Sequence, residues 1–141
     1  MKRVVITSSV VAVTPLAAYM GKNVVITTPK YRFPTDQLPR NEFPNYFVAY
    51  AVSKILAFNT TLDFIEKERP RFEVINVMPS FVIGKNDLAT NPKAVNSSSN
   101  ALALNALLGV QNPAGTVGIS VHVDDVAKVH VSALDPKING P

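Results

Sequence analysis

The apolar residues of this chain fall into runs of two periods. Arg3-Val4-Val5-Ile6-Thr7 sets β-branched residues side by side without alternation, which predicts a parallel strand buried on both faces. Phe72-Glu73-Val74-Ile75-Asn76-Val77-Met78 predicts a second strand, with an irregular exit marked by Pro79 and Gly84. Between them Ala51, Ile55, Phe58, Leu62 and Ile65 recur at four-three-four-three spacing, the period of an amphipathic helix. That helix is predicted over 46–68, capped by Asn45 and ended by Lys67, Arg69 and Pro70. It is about 35 Å long if helical throughout. Its apolar stripe should pack on the sheet, leaving Tyr50, Lys54 and Ala57 on the neighbouring face.

Pro29, Pro34, Pro39 and Pro44 forbid both helix and central strand in the stretch before the long helix. Just upstream, Gly21 to Pro29 repeats the Val-Val-Ile-Thr pattern of the first strand and predicts a short extra strand. The polar, Ser- and Asn-rich stretch 86–100 predicts a mobile loop suited to act as a lid. Ala101 to Leu108 reads as a short helix ended by Gly109. Gly115 and Gly118 flank a turn into a strand around Ile119 to Val123. Asp124 or Asp125 is then expected to cap a last helix ending near Leu134.

The length of 141 residues suits one domain with a moderate core. There is no cysteine, so disulfides and thiolate metal sites are excluded. Met1-Lys2-Arg3 leads into only a short apolar run before Pro15, and no segment is read as long enough to span a membrane. A cytoplasmic location is therefore expected. The net charge of +4 is spread along the chain, and its densest basic group, Lys67, Arg69 and Arg71, is interrupted by Glu66, Glu68 and Glu73. That pattern argues against nucleic acid as a partner, because a phosphate-binding footprint gathers its cations on one face. Charged residues make up 17% of the chain, against roughly 25% in typical soluble domains. With 47% hydrophobic residues, this predicts apolar surface covered by another copy, hence a homodimer or larger homo-oligomer.

The chemistry centres on Tyr50-Ala51-Val52-Ser53-Lys54. Residues four apart share a helix face, so the lysine ammonium can sit beside the tyrosine phenol. A free phenol, with a pKa near ~10, is a poor proton donor or acceptor at neutral pH, and bringing it to about 7 takes roughly 4 kcal/mol. One cation about 4 Å away supplies ~1 kcal/mol in bulk water and ~4 kcal/mol at an effective dielectric of ~20. Such a pair works where the site is partly dry. His122, Asp124, Asp125 and His130 do not make a metal set, since an aspartate before a helix is usually a cap and no further ligand is evident.

A strand ending in Ser8-Ser9, a helix with Tyr50 and Lys54, and a strand ending at Pro79 follow one another in an order that resembles the extended short-chain dehydrogenase/reductase family. The resemblance is to its dihydroflavonol-reductase-like ketone and aldehyde reductases and its epimerase/dehydratases, fungal members included. Val121 to His130 is similar to the late strand-to-helix segment of that family, so the likeness spans nearly the whole chain. It implies an α/β fold: a partial Rossmann-like, doubly wound parallel sheet of about three to four strands with packing helices. It also implies Ser9, Tyr50 and Lys54 as the catalytic set, with Ser9 holding a substrate carbonyl. Pro79, Phe81 and Val82 would line the substrate pocket, although Gly84-Lys85 stands where the family usually has Gly-Pro.

The family's nucleotide-binding part begins with a strand, a glycine-rich turn and a helix whose N-terminus holds the pyrophosphate. Gly21, Gly84, Gly109, Gly115, Gly118 and Gly140 do not give that spacing, so the chain is expected to be a truncated member. No cofactor is expected for it alone, and NADP only where another chain completes the site. Three functions compete. The leading one is a non-redox acid/base enzyme, an isomerase, dehydratase or cyclase acting beside the carbonyl of a small secondary metabolite through Ser9, Tyr50 and Lys54. An NADP-dependent carbonyl reductase completed by a partner or a longer chain is the second. The third is a binding or scaffold protein in which the same residues are idle.

Overall fold

Strands β1 (Arg3–Thr7) and β2 (Glu73–Val77) pair in parallel, in register from Arg3 against Glu73 to Thr7 against Val77. These coordinates are a computed structural model that describes residues 2–19, 32–36, 38–111 and 119–138. The expected extra strand at 21–29 and the turn at Gly115 and Gly118 lie outside the described residues. The chain divides into two units, Met1–Met78 with Pro136–Pro141, and Pro79–Asp135.

In the first unit the parallel strands need a crossover connection, and the long helix α2 (Tyr46–Glu68) lies within it, preceded by the short helix α1 (Leu16–Tyr19). Asn45 starts α2 as predicted, its side-chain oxygen accepting a hydrogen bond from the Val48 amide at 3.0 Å. Arg69 ends it in the left-handed region, at φ 45°, immediately before Pro70. Ala51, Ile55 and Phe58 of the predicted stripe are buried, Ile55 completely, while Leu62 and Ile65 are half-buried.

A second face of α2 is buried as well. Val48, Val52 and Ile55 form a core cluster with Leu38, against which Leu16 and Phe33 pack. The segment around Phe33 is held there by polar contacts. Asn59 donates a hydrogen bond to the Phe33 carbonyl at 2.8 Å, and Arg32 pairs with Asp63 and Glu66. This second face corrects the expectation that no segment reaches membrane-spanning length. By length and composition alone the 23-residue α2 would suffice, and of its apolar residues Val48, Ala51, Val52, Ile55 and Phe58 are here buried in the α/β unit.

The second unit contains β3 (Phe81–Ile83) and β4 (Ser120–His122), again parallel, with Phe81 against Ser120 and Ile83 against His122. The four described strands thus form two parallel pairs, β1 with β2 and β3 with β4. The irregular exit predicted after the second strand is confined to Pro79 and Ser80, after which the chain re-enters a strand. The stretch 86–100, expected to be a loop, holds α3 (Pro92–Val95) and the start of α4 (Ser98–Leu107). Asn91 and Pro92 explain α3: the asparagine oxygen accepts from the Ala94 amide, and proline is favoured in a first helical turn.

Asn100 fixes α4 to the end of β3. Its amide donates to the Gly84 carbonyl at 2.8 Å and accepts from the Gly84 amide at 2.9 Å. Neither Asp124 nor Asp125 caps the last helix, α5 (Val123–Ser132). Its N-cap is His122, whose Nδ1 accepts from the Asp124 amide, and both aspartates lie in the first turn, where they complement the helix dipole.

Two substitutions test this packing. Ile55→Ala is expected to destabilise the first unit by roughly 2–5 kcal/mol. Gly84 has φ 139°, and a Cβ there would stand 2.7 Å from Val123 Cγ1 and 3.0 Å from His122 Nε2. Gly84→Ala should therefore cost roughly 1–3 kcal/mol. Urea unfolding followed by circular dichroism checks both, and an unchanged midpoint in either variant contradicts the packing described.

Candidate active site

The parallel ladder of β1 and β2 extends one step past the strands, where the Ser8 amide donates to the Val77 carbonyl at 2.8 Å. Ser9 therefore sits just beyond the C-terminal end of β1, the end at which open α/β sheets bind their ligands. It is 6% exposed and caps a short 3-10 helix over Val10–Val13, its Oγ accepting from the Val11 amide at 3.3 Å. A hydroxyl that accepts one bond keeps its O–H to donate. The 3-10 helix buries Val11 and Ala12 and packs against α2.

Tyr50 and Lys54 project from the first half of α2. The Lys54 ammonium lies over the Tyr50 ring, 5.7 Å from its centroid. This is a cation-π arrangement, worth about 0.5–1 kcal/mol at an exposed site. Tyr50 is 42% exposed. The Ser53 hydroxyl donates to the Tyr50 carbonyl at 2.7 Å within the helix. The Tyr50 and Lys54 side chains are thus brought together as their spacing predicted. The 3-10 helix that Ser9 caps packs against α2, while the Ser9 oxygen bonds Val11 rather than either of them.

Phe81 and Val82 belong to the second unit as half-buried residues of β3, and Pro79 begins that unit. The Phe81 amide donates to the Ile119 carbonyl at 3.2 Å. The motif reading does not include Tyr46 and Phe47, although their spacing places them beside Tyr50. The Phe47 and Tyr50 ring centroids are 6.1 Å apart at an interplanar angle of 42°.

No family model matches the chain. Among curated proteins it is 39% identical over 141 residues to ketoreductase CTB6 of Cercospora nicotianae, an alignment covering 99% of this chain and 39% of that protein. The chain belongs to the ketoreductase and NAD-dependent epimerase/dehydratase group of short-chain-dehydrogenase-like proteins. Another member, the NAD-dependent epimerase/dehydratase ALT6 of Alternaria alternata, is 32% identical over 143 residues, covering 94% of this chain and 38% of its own length. Among solved structures, vestitone reductase from alfalfa (Medicago sativa) superposes with a TM-score of 0.60 at 27% identity, over 99% of this chain and 41% of that one. The chain therefore spans about two fifths of the length of the family members it matches.

A dinucleotide, as in the name of ALT6, requires a strand-to-helix turn rich in glycine for its pyrophosphate. Among the described residues that element is absent. The turn after β1 is Ser8-Ser9 leading into a four-residue 3-10 helix. Gly84 uses its missing Cβ to accommodate His122 and Val123, and Gly109, at φ 70°, ends α4 facing open space. These residues do not fit a pyrophosphate.

Proposed function

We propose that this family member performs acid/base chemistry beside the carbonyl of a small secondary metabolite. Tyr50 takes up or returns the proton at the carbon next to the carbonyl. Lys54 places a positive charge against the negative charge that develops on the phenol oxygen, and the Ser9 O–H holds the carbonyl oxygen. Isomerisation, dehydration and cyclisation all pass through such a proton transfer. The observation that carries this reading is the exposed Tyr50 with the Lys54 ammonium over its ring, 5.7 Å from the centroid. It uses only groups the described residues supply.

A second reading is favoured by the ketoreductase relatives: a carbonyl reductase whose dinucleotide site is completed by a partner or a longer chain. The same three residues would then position the carbonyl.

Proton exchange distinguishes the two. With 1-tetralone in deuterated buffer and no dinucleotide, the protein is expected to accelerate deuterium incorporation next to the carbonyl, read by NMR. Tyr50→Phe should slow this by about 100-fold or more, with an unchanged circular dichroism spectrum. Equal exchange by the variant removes Tyr50 from the chemistry. A calorimetric titration with NADPH completes the test: tight binding together with ketone reduction would replace the acid/base reading with the reductase reading.

A further inference from the structure

We infer that His122 is a proton-operated cap: neutral, it holds the first turn of α5, and on taking up a proton it releases that turn and loosens the junction of β3, α4 and α5 at Gly84. His122 closes β4, where the parallel ladder sets it against Ile83, and it is the N-cap residue of α5. Its Nδ1 accepts from the Asp124 amide at 3.3 Å. Histidine is an unusual cap, since the Asn, Asp, Ser and Thr oxygens that commonly serve keep their lone pairs at neutral and mildly acidic pH. An imidazole nitrogen accepts only while it carries no proton, and histidine as a residue type changes charge between about pH 5 and 8.

Protonation acts on the cap in two ways at once. Nδ1 becomes a donor facing the Asp124 N–H, so the hydrogen bond is lost, and the imidazolium charge stands at the positive end of the α5 dipole. The Asp124 carboxylate, its Oδ2 3.6 Å from Nδ1, offers the new proton a partner, so the side chain exchanges a backbone bond for an ion pair. The other charges on the neighbouring elements are engaged elsewhere. Strand β3 and helix α4 contain no ionisable residue, and Lys85 after β3 pairs with Asp87. On α5 itself Asp125 pairs with Lys128, and His130 bonds the Val126 carbonyl farther along the helix. The rearrangement reaches beyond α5 through Gly84. Val123 Cγ1 and His122 Nε2 lie 2.7 and 3.0 Å from where a Cβ on that glycine would stand, so its backbone packs directly against them. The same glycine makes both hydrogen bonds to Asn100 that fix α4 to β3.

Nuclear magnetic resonance of the full chain between about pH 8 and pH 5 tests this. The Asp124 amide resonance is expected to move with the same midpoint as the His122 ring protons. Its hydrogen-exchange protection, corrected for the intrinsic pH dependence of exchange, should fall about threefold to tenfold across that midpoint, the effect of losing one N-cap. The Gly84 amide and the Asn100 side-chain amide should follow at the same midpoint. His122→Asn keeps a capping oxygen and removes the titrating ring, so its Asp124 amide should stay protected over the whole range. His130→Gln, which removes the chain's other histidine, should leave the response unchanged. An Asp124 amide indifferent to the His122 titration overturns the inference. So does a Gly84 amide that stays fixed, a pH response that persists in His122→Asn, or one that disappears in His130→Gln. The titration of the parent protein decides the matter even where His122→Asn fails to fold.

Discussion

The first unit is organised by one constraint: α2 must bury apolar residues on two of its faces at once. Ala51 and Phe58 mark one, and Val48 and Val52, under Leu38 and Phe33, mark the other, with Ile55 serving both. Parallel strands cannot be joined by a tight turn, so a connection as long as the one containing α2 is required for β1 and β2 to pair at all. Asn45 at one end and Arg69 at the other fix where the helix begins and stops, and therefore which residues fall on each face.

That division leaves a third face for chemistry. Tyr50 and Lys54 stay out of the core because the two buried faces hold the helix from other directions, and their relative position follows from helical spacing rather than from a flexible loop. The exposure that makes the phenol accessible also weakens the electrostatic help available from Lys54, since in water a cation near 4 Å contributes only about 1 kcal/mol. A ligand covering the pair resolves this conflict.

Much of this was legible in the sequence, for identifiable reasons. The β-branched run at Arg3 to Thr7, the helix from Asn45 to Pro70 and the Tyr50 to Lys54 spacing are local signals, and each appears where its local physics requires. The second buried face of α2 was not legible, because Val48, Val52 and Asn59 are buried by the segment around Phe33, a contact between residues far apart in sequence. β3 was hidden because Phe81 to Ile83 follows closely on Pro79 and Ser80, whose punctuation outweighs three apolar residues. His122 as the cap of α5 was obscured by the two aspartates beside it, which have the stronger intrinsic preference for that position. Family membership fits the Ser9, Tyr50 and Lys54 order and the parallel β1 and β2, while the glycines that a pyrophosphate needs are not found among the described residues.

The central claim is that Tyr50 and Lys54 act as one unit. A double-mutant cycle measures this most directly, with Tyr50→Phe, Lys54→Met and the double variant compared for the rate of proton exchange next to the 1-tetralone carbonyl. Groups that act together are strongly non-additive. The account predicts that the double variant is no slower than Tyr50→Phe alone. Rate losses that multiply would show the two residues acting independently and would contradict it.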